Sequence, residues 1–218
     1  MGQERSDAIV VRGVDFSETS RIVTFLTPAR GKLACMAQGV RRAKSPMASA
    51  LDTFNRLEIV YYWKDGRSVQ KLAEAALQHG YPGIKSDLNK SIFAAFPLEF
   101  AYKVAQENEP SHELFTTLAD GFEHMESWTG PARTHAAWQT MRLLAVAGFE
   151  PDLSCAQSFE IPVRAGTLDV LRELAVSTDE CTVKIDQPEA FDSLARYVVR
   201  HVDSEFRSLR VIGQMFEK

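Results

Sequence analysis

Six cations crowd one stretch of the chain with no acid among them. Between Glu18 and Asp52 lie Arg21, Arg30, Lys32, Arg41, Arg42 and Lys44, and not one carboxylate. A single-sign run of this kind suits a local anionic partner. Guanidinium and ammonium groups donate charge-assisted hydrogen bonds to phosphate oxygens, so the chemistry on offer is phosphate neutralisation. The rest of the sequence throws the run into relief: residues 1–80 hold 12 Lys and Arg against 8 Asp and Glu, whereas residues 81–218 hold 13 against 21. A solvated basic face balancing the acidic remainder is the other reading of the same pattern.

Bond-making chemistry finds no comparable support. The five histidines (His79, His112, His124, His135 and His201) are scattered and join no nucleophile or paired carboxylate at a workable spacing. Glu107, Glu109 and Glu113 read as a loop and a helix start, where carboxylates suit the helix dipole. Neither Gly-x-x-x-x-Gly-Lys-Ser/Thr nor Gly-x-Gly-x-x-Gly occurs, which removes the nucleotide-binding loops. Cys155-Ala156-Gln157-Ser158 has the spacing of half a zinc ribbon, but Ser158 stands where a second thiol is needed and Cys181 is the one other cysteine nearby. No metal and no cofactor is expected, and the protein is read as a non-enzyme. Three cysteines without a Cys-x-x-Cys, a polar start from Met1 to Asp7 and the lack of a long apolar run predict a cytoplasmic chain with no membrane contact.

Hydrophobic residues make up 45% and charged residues 25% of the 218, which is globular usage. The period of the apolar residues changes along the chain. Residues 8–14, 20–27, 32–40, 54–63 and 67–77 read as strands, with Pro28 to Gly31 and Lys64-Asp65-Gly66 as hairpin connections. Met47 to Leu51 is expected to form one helical turn. Five short strands with a longer third connection outline a small OB-type β-barrel, although an SH3-like barrel or an open meander fits the spacing nearly as well. Past residue 84 the period is helical. Leu88, Ile92, Phe93, Phe96, Phe100 and Val104 form one stripe, with Pro97 expected to kink it. Ser111 is placed as a cap, Pro131 at a first turn, Gly148 at a helix end, Thr167 as a further cap and Pro188 at another start. The expectation is an α+β multidomain chain: an N-terminal five-stranded OB-type domain over 1–80, then an α-helical domain over 81–218. Within the latter, 149–166 is irregular.

On such a barrel Arg41, Arg42 and Lys44 fall in a flexible connection, and Arg21, Lys32 and Arg56 extend the path onto neighbouring strands. Small basic barrels bind single-stranded nucleic acid by tracking phosphates and stacking bases on aromatic rings. If six cations met phosphates, the salt exponent would be about −4, and raising salt from 50 to 200 mM would weaken binding roughly 300-fold.

Four motifs in order resemble the RecO family of bacterial DNA-repair and recombination mediators. They are Phe16-Ser17-Glu18-Thr19-Ser20-Arg21-Ile22-Val23; Thr27-Pro28 with Gly31-Lys32-Leu33; Gln38-Gly39-Val40-Arg41-Arg42-Ala43-Lys44-Ser45; and Leu51-Asp52-Thr53-Phe54-Asn55-Arg56-Leu57-Glu58. Glu113-Leu114-Phe115, Arg142-Leu143-Leu144 and Cys155-Ala156 continue the resemblance more faintly. It implies an OB domain, a helical domain and, in many members, a four-cysteine zinc element, which Ser158 leaves here as a degenerate, metal-free zinc-finger-like segment. It implies binding of single- and double-stranded DNA, annealing of complementary strands, pairing with RecR, and contact with the acidic C-terminal tail of single-stranded DNA-binding protein (SSB), so that RecA can load; a nucleoid-associated place in the cytoplasm follows. The DNA role falls on Arg21, Lys32, Arg41, Arg42, Lys44 and Arg56, with Arg207 and Arg210 as a second strip beside Arg200. An SSB tail needs a cation beside an apolar pocket, for which Arg133 and Arg142 with Trp138 and Leu143 are the candidates.

Two other classes compete. An RNA-binding barrel module acting in translation or RNA processing would use the same cations, because phosphate tracking is common to both nucleic acids. A protein-interaction adaptor would present the basic face to an acidic partner instead.

Overall fold

The computed structural model describes residues 2–42, 45, 47–177 and 181–216. Five strands, β1 (Gly2–Asp15), β2 (Arg21–Thr27), β3 (Gly31–Ala37), β4 (Arg56–Trp63) and β5 (Gln70–His79), precede seven helices. The helices are α1 (Pro82–Ser86), α2 (Leu88–Val104), α3 (His112–Ser127), α4 (Ala132–Val146), α5 (Ala165–Val176), α6 (Pro188–Val202) and α7 (Arg207–Phe216).

The strands close on themselves in the order β1-β2-β3-β5-β4. Closure depends on β1 being twice the expected length. Its first half, Gly2 to Ile9, pairs with β4, and its second half, Ile9 to Asp15, pairs with β2. A register shift between Val10 and Arg12 lets one strand serve both neighbours. All pairings are antiparallel except the short parallel contact of Cys35 and Met36 with Gln70 and Lys71. Alternation along β3 turns Leu33 and Cys35 inward and Lys32 outward. The interior is filled by Val10, Val23, Phe25, Leu33, Cys35, Leu57, Ile59 and Tyr61, all buried, and burial pushes the Cys35 thiol up to about 12. Met47 to Leu51 makes the expected single turn, the Leu51 N–H donating to the Met47 carbonyl at 3.2 Å. Asn55, itself buried, ties that turn down by donating to the Ser49 and Ala50 carbonyls.

The compact unit containing the sheet runs from Met1 to Tyr81 and takes in Ala105–Ala119 as well. Residues 106–111 lie along the β2–β3 hairpin: the Lys32 N–H donates to Gln106, the Asn108 N–H to Arg30 and the Ser111 N–H to Pro28, each to a carbonyl. Gly31, with φ +57°, is what permits this, since a Cβ there would run into the Gln106 and Glu109 carbonyl oxygens.

The second unit holds Pro82–Val104 and Asp120–Lys218. Helix α2 packs on α4 and α7, and α4 on α6, around Phe96, Phe100, Trp138, Leu144 and Phe191. α2 passes through Pro97 unbroken with that residue buried. Leu88, read as the first member of the buried stripe, is 62% exposed instead. It is the first residue of α2, where the Asp87 carboxylate accepts from the Lys90 N–H and ends the shorter helix before it. Ser111 stands immediately before α3, its carbonyl accepting from the Phe115 N–H while its hydroxyl donates to the Glu109 carbonyl. Thr167 lies inside α5 and donates to Glu189. Pro131 precedes α4 by one residue. That helix ends in a Schellman arrangement at Gly148, with Phe149 N–H to Leu144 O and Gly148 N–H to Ala145 O.

Candidate nucleic-acid interface

The β1–β2 connection is a tight loop whose own atoms fix its shape. The Phe16 and Ser17 N–H groups both donate to the Ser20 carbonyl, and the Ser20 N–H donates to the Ser17 hydroxyl. Arg41 clamps this loop from outside. Its guanidinium donates to the Ser17 carbonyl at 2.7 Å and meets Asp15 Oδ2 at 3.3 Å, while its backbone N–H donates to the Thr19 carbonyl. Arg21 reaches the same carboxylate, Nε to Oδ1 at 3.0 Å. It does so across Gly13, where an added Cβ would press on Arg21 Cδ. Arg42 follows on the exposed turn, its N–H donating to Gly39.

Arg21 and Arg41 therefore meet at one end of the β1–β2 hairpin on a single acid, with Arg42 next in the chain. The side chains of Arg21 and Arg41 are 33% and 38% exposed. Ion pairs this wet contribute little and leave the guanidinium edges open to a second anion. Asp15 was not singled out by the charge reading because it lies just outside the acid-free window, yet Asp15 and Arg21 are the pair that closes the hairpin.

The remaining cations of the window do not join this group. Lys32 is opposite Leu26, near the other end of β3, about 17 Å along the strand from Ala37 at 3.3 Å per residue. Arg30, at that same end, donates to both Glu4 oxygens and lies 4.0 Å over the Trp63 ring. Tyr61 donates to Glu4 too, and burial with that carboxylate beside it raises the phenol well above its usual range. Arg56 pairs loosely with Asp7 at 3.8 Å and stands over the Phe115 ring. Lys44 falls outside the described residues. The single unopposed path expected from sequence is thus corrected to Arg21 and Arg41 on Asp15 with Arg42 beside them in the chain, and Arg30, Lys32 and Arg56 elsewhere. Strand register and Glu4, Asp7 and Asp15 of β1 divide the run.

In the helical unit the four residues chosen for an SSB tail do not converge. Arg133 and Arg142 are nine residues apart on α4, about 180° around the helix. Arg133 lies over Phe93 and Phe216, at 5.3 and 5.7 Å, and Arg142 over Trp138 at 4.9 Å. Trp138 and Leu143 are fully buried, and the Trp138 indole N–H donates to the Ser177 carbonyl. Arg210 pairs with Glu205, and Arg200 approaches Glu160. Arg207 opens α7, where the Glu99 carboxylate accepts from the Arg207 and Ser208 N–H groups.

Cys155 is exposed, and a hydrogen bond from the Ser158 hydroxyl at 3.1 Å draws its thiol below the ordinary value. No group of three or more His, Cys, Asp or Glu residues suited to a metal occurs among the described residues. No helix among them is long and apolar enough to cross a membrane.

The architecture is that of an α+β protein in which a five-stranded sheet precedes a helical unit. Two family profiles match in that order: "Recombination protein O N terminal" over residues 1–81 and "Recombination protein O C terminal" over residues 85–160. The chain belongs to the RecO family. Relatives named "DNA repair protein RecO" include that of Nocardioides sp., 35% identical over 75% of this chain and 65% of its own length. That of Gloeothece citriformis is 30% identical over 79% and 61%, and that of Desulfatibacillum aliphaticivorans 28% identical over 71% and 62%. The chain spans a little over three fifths of the length of these relatives.

Proposed function

We propose that this chain acts in DNA repair as a non-catalytic recombination mediator in the cytoplasm. It binds single- and double-stranded DNA, anneals complementary strands and, with RecR, helps RecA load on SSB-coated DNA. Membership of the RecO family supports the role. The observation that carries the DNA contact is the meeting of Arg21 and Arg41 beside the β1–β2 loop, with Arg42 next in the chain. The strand order and the parallel β3–β5 contact support an OB-type barrel, in which the loop between the first two strands is a usual oligonucleotide-binding element. Lys44 follows Arg42 by two residues in the sequence and belongs to the same basic motif. Arg133, over Phe93 and the partly exposed Phe216, is the better anchor for the SSB tail.

The test is annealing of complementary oligonucleotides by a variant with Arg41, Arg42 and Lys44 all changed to Ala. Most annealing should be lost, with the thermal melt nearly unchanged, and the slope of log affinity against log salt should flatten by about 2 for single strands. Unaltered annealing refutes the assignment. Titration of matched DNA and RNA oligomers separates the rival reading, since a marked RNA preference would place the same loop in RNA processing.

A further inference from the structure

Phe16 is at the tip of the β1–β2 loop and is 64% exposed. Exposure alone is ordinary for a single apolar residue; what sets this ring apart is the firmly held loop that carries it and the arginines on that loop. The loop is not slack. Phe16 itself donates to Ser20, its neighbour Ser17 is held by Ser20 and by Arg41, and its other neighbour Asp15 is held by Arg21 and Arg41. Six contacts on three consecutive residues hold the chain on both sides of the ring, so little freedom remains to be lost on binding. Val14, 45% exposed, extends the apolar surface back along β1.

We propose that Phe16 is a base-stacking residue for single-stranded DNA, with Arg21, Arg41 and Arg42 holding the phosphates on either side of the stacked nucleotide. The assignment rests on the DNA-binding reading above and deepens it. A planar apolar ring on a loop whose two flanking residues are held by guanidinium groups suits the alternation of base and phosphate along a strand. A duplex keeps its base faces covered by stacking, so the ring selects unpaired strands. Nothing in this arrangement reads base edges, and binding through it is independent of sequence.

The test uses the full chain, an oligothymidylate of about 20 nucleotides and the matching abasic oligomer. Phe16→Ala should weaken binding to oligothymidylate about tenfold, leave binding to the abasic strand unchanged and keep the salt slope of the wild type. Phe16→Trp should restore the affinity, and its added indole emission should be quenched by oligothymidylate but not by the abasic strand. Equal affinities of wild type and Phe16→Ala for both oligomers overturn the stacking role while leaving DNA binding intact, and would assign the ring to a protein partner. An equal loss on both oligomers also overturns it, because the ring would then be holding the arginines. Absence of any salt-sensitive DNA binding by the wild type removes both this assignment and the reading beneath it.

Discussion

The two units put their carboxylates to different uses. In the barrel unit, carboxylates lie along β1, and each steadies arginines near the surface: Glu4 holds Arg30, Asp7 meets Arg56, and Asp15 holds Arg21 and Arg41. In the helical unit, carboxylates cap helices that are not their own. Glu126 of α3 accepts from the Gly83 and Ile84 N–H groups at the start of α1, and Glu99 of α2 does the same for α7. Arginines lie over rings in both units. The lesson is one of availability. A carboxylate beside an exposed guanidinium leaves it donors for another anion, whereas a carboxylate that accepts from helix N–H groups is committed to holding the fold.

Substitutions can sharpen or break that contrast. The largest effect is expected at Gly31, where the barrel unit depends on backbone approach and not on charge. Gly31→Ala should cost at least about 3 kcal/mol in chemical denaturation, from strain at positive φ and collision with two carbonyls. Next is Glu126→Gln, which replaces a charged acceptor of two helix N–H groups by a neutral one; about 1–2 kcal/mol should be lost in the same measurement. If it melts like the wild type, capping between helices is not what orders the second unit.

A smaller, pH-dependent effect is expected from the stacked pair His124 and His135, whose Nδ1 and Nε2 lie 2.9 Å apart. Burial, with His124, Lys90 and Arg142 adding positive charge, holds His135 well below its ordinary value. The unfolded chain then binds a proton that the folded one refuses, so stability falls as pH drops below about 6.5 and is regained above it. Melts between pH 7.5 and 5 should show that fall, and His135→Gln should flatten it. The smallest effect belongs to Arg5→Ala in the barrel unit. Its pair with Glu58 leaves Arg5 66% exposed, and the loss should stay within about 0.5 kcal/mol. A larger loss would mean that the wet pairs of β1 are structural after all.

Much of the architecture could be read from local pattern, and the failures have identifiable causes. β2 and β4 carry β-branched and aromatic residues bounded by turn formers, β3 alternates apolar and polar positions, and β5 follows the Asp65-Gly66 turn, so all four are legible in the sequence. The first half of β1 was missed because Gly2 to Asp7 is almost wholly polar; it forms a strand only because β4 lies alongside to pair with it. Closure of the sheet through Cys35 and Gln70 is likewise a contact between distant residues that no periodicity announces. At the candidate site, residue types were legible and positions were not. Arg21 and Arg41 are twenty residues apart and meet through Asp15, whereas Arg30 and Lys32, close to Arg21 in sequence, are carried to the far end of the hairpin by one length of strand. Sequence type alone does not mark Phe16, since exposure is what distinguishes it from the phenylalanines of the core.

The strap formed by residues 106–111 has a consequence for synthesis and for dissection of the protein. When a ribosome has released the last strand, the carbonyls that receive the Lys32 and Asn108 amides and the chain that crosses Gly31 have not all emerged. The leading unit is therefore assembled from two instalments of the same polypeptide. A fragment ending at Tyr81 would leave one hairpin uncovered, and a boundary drawn for expression should either retain the later stretch or supply it in trans.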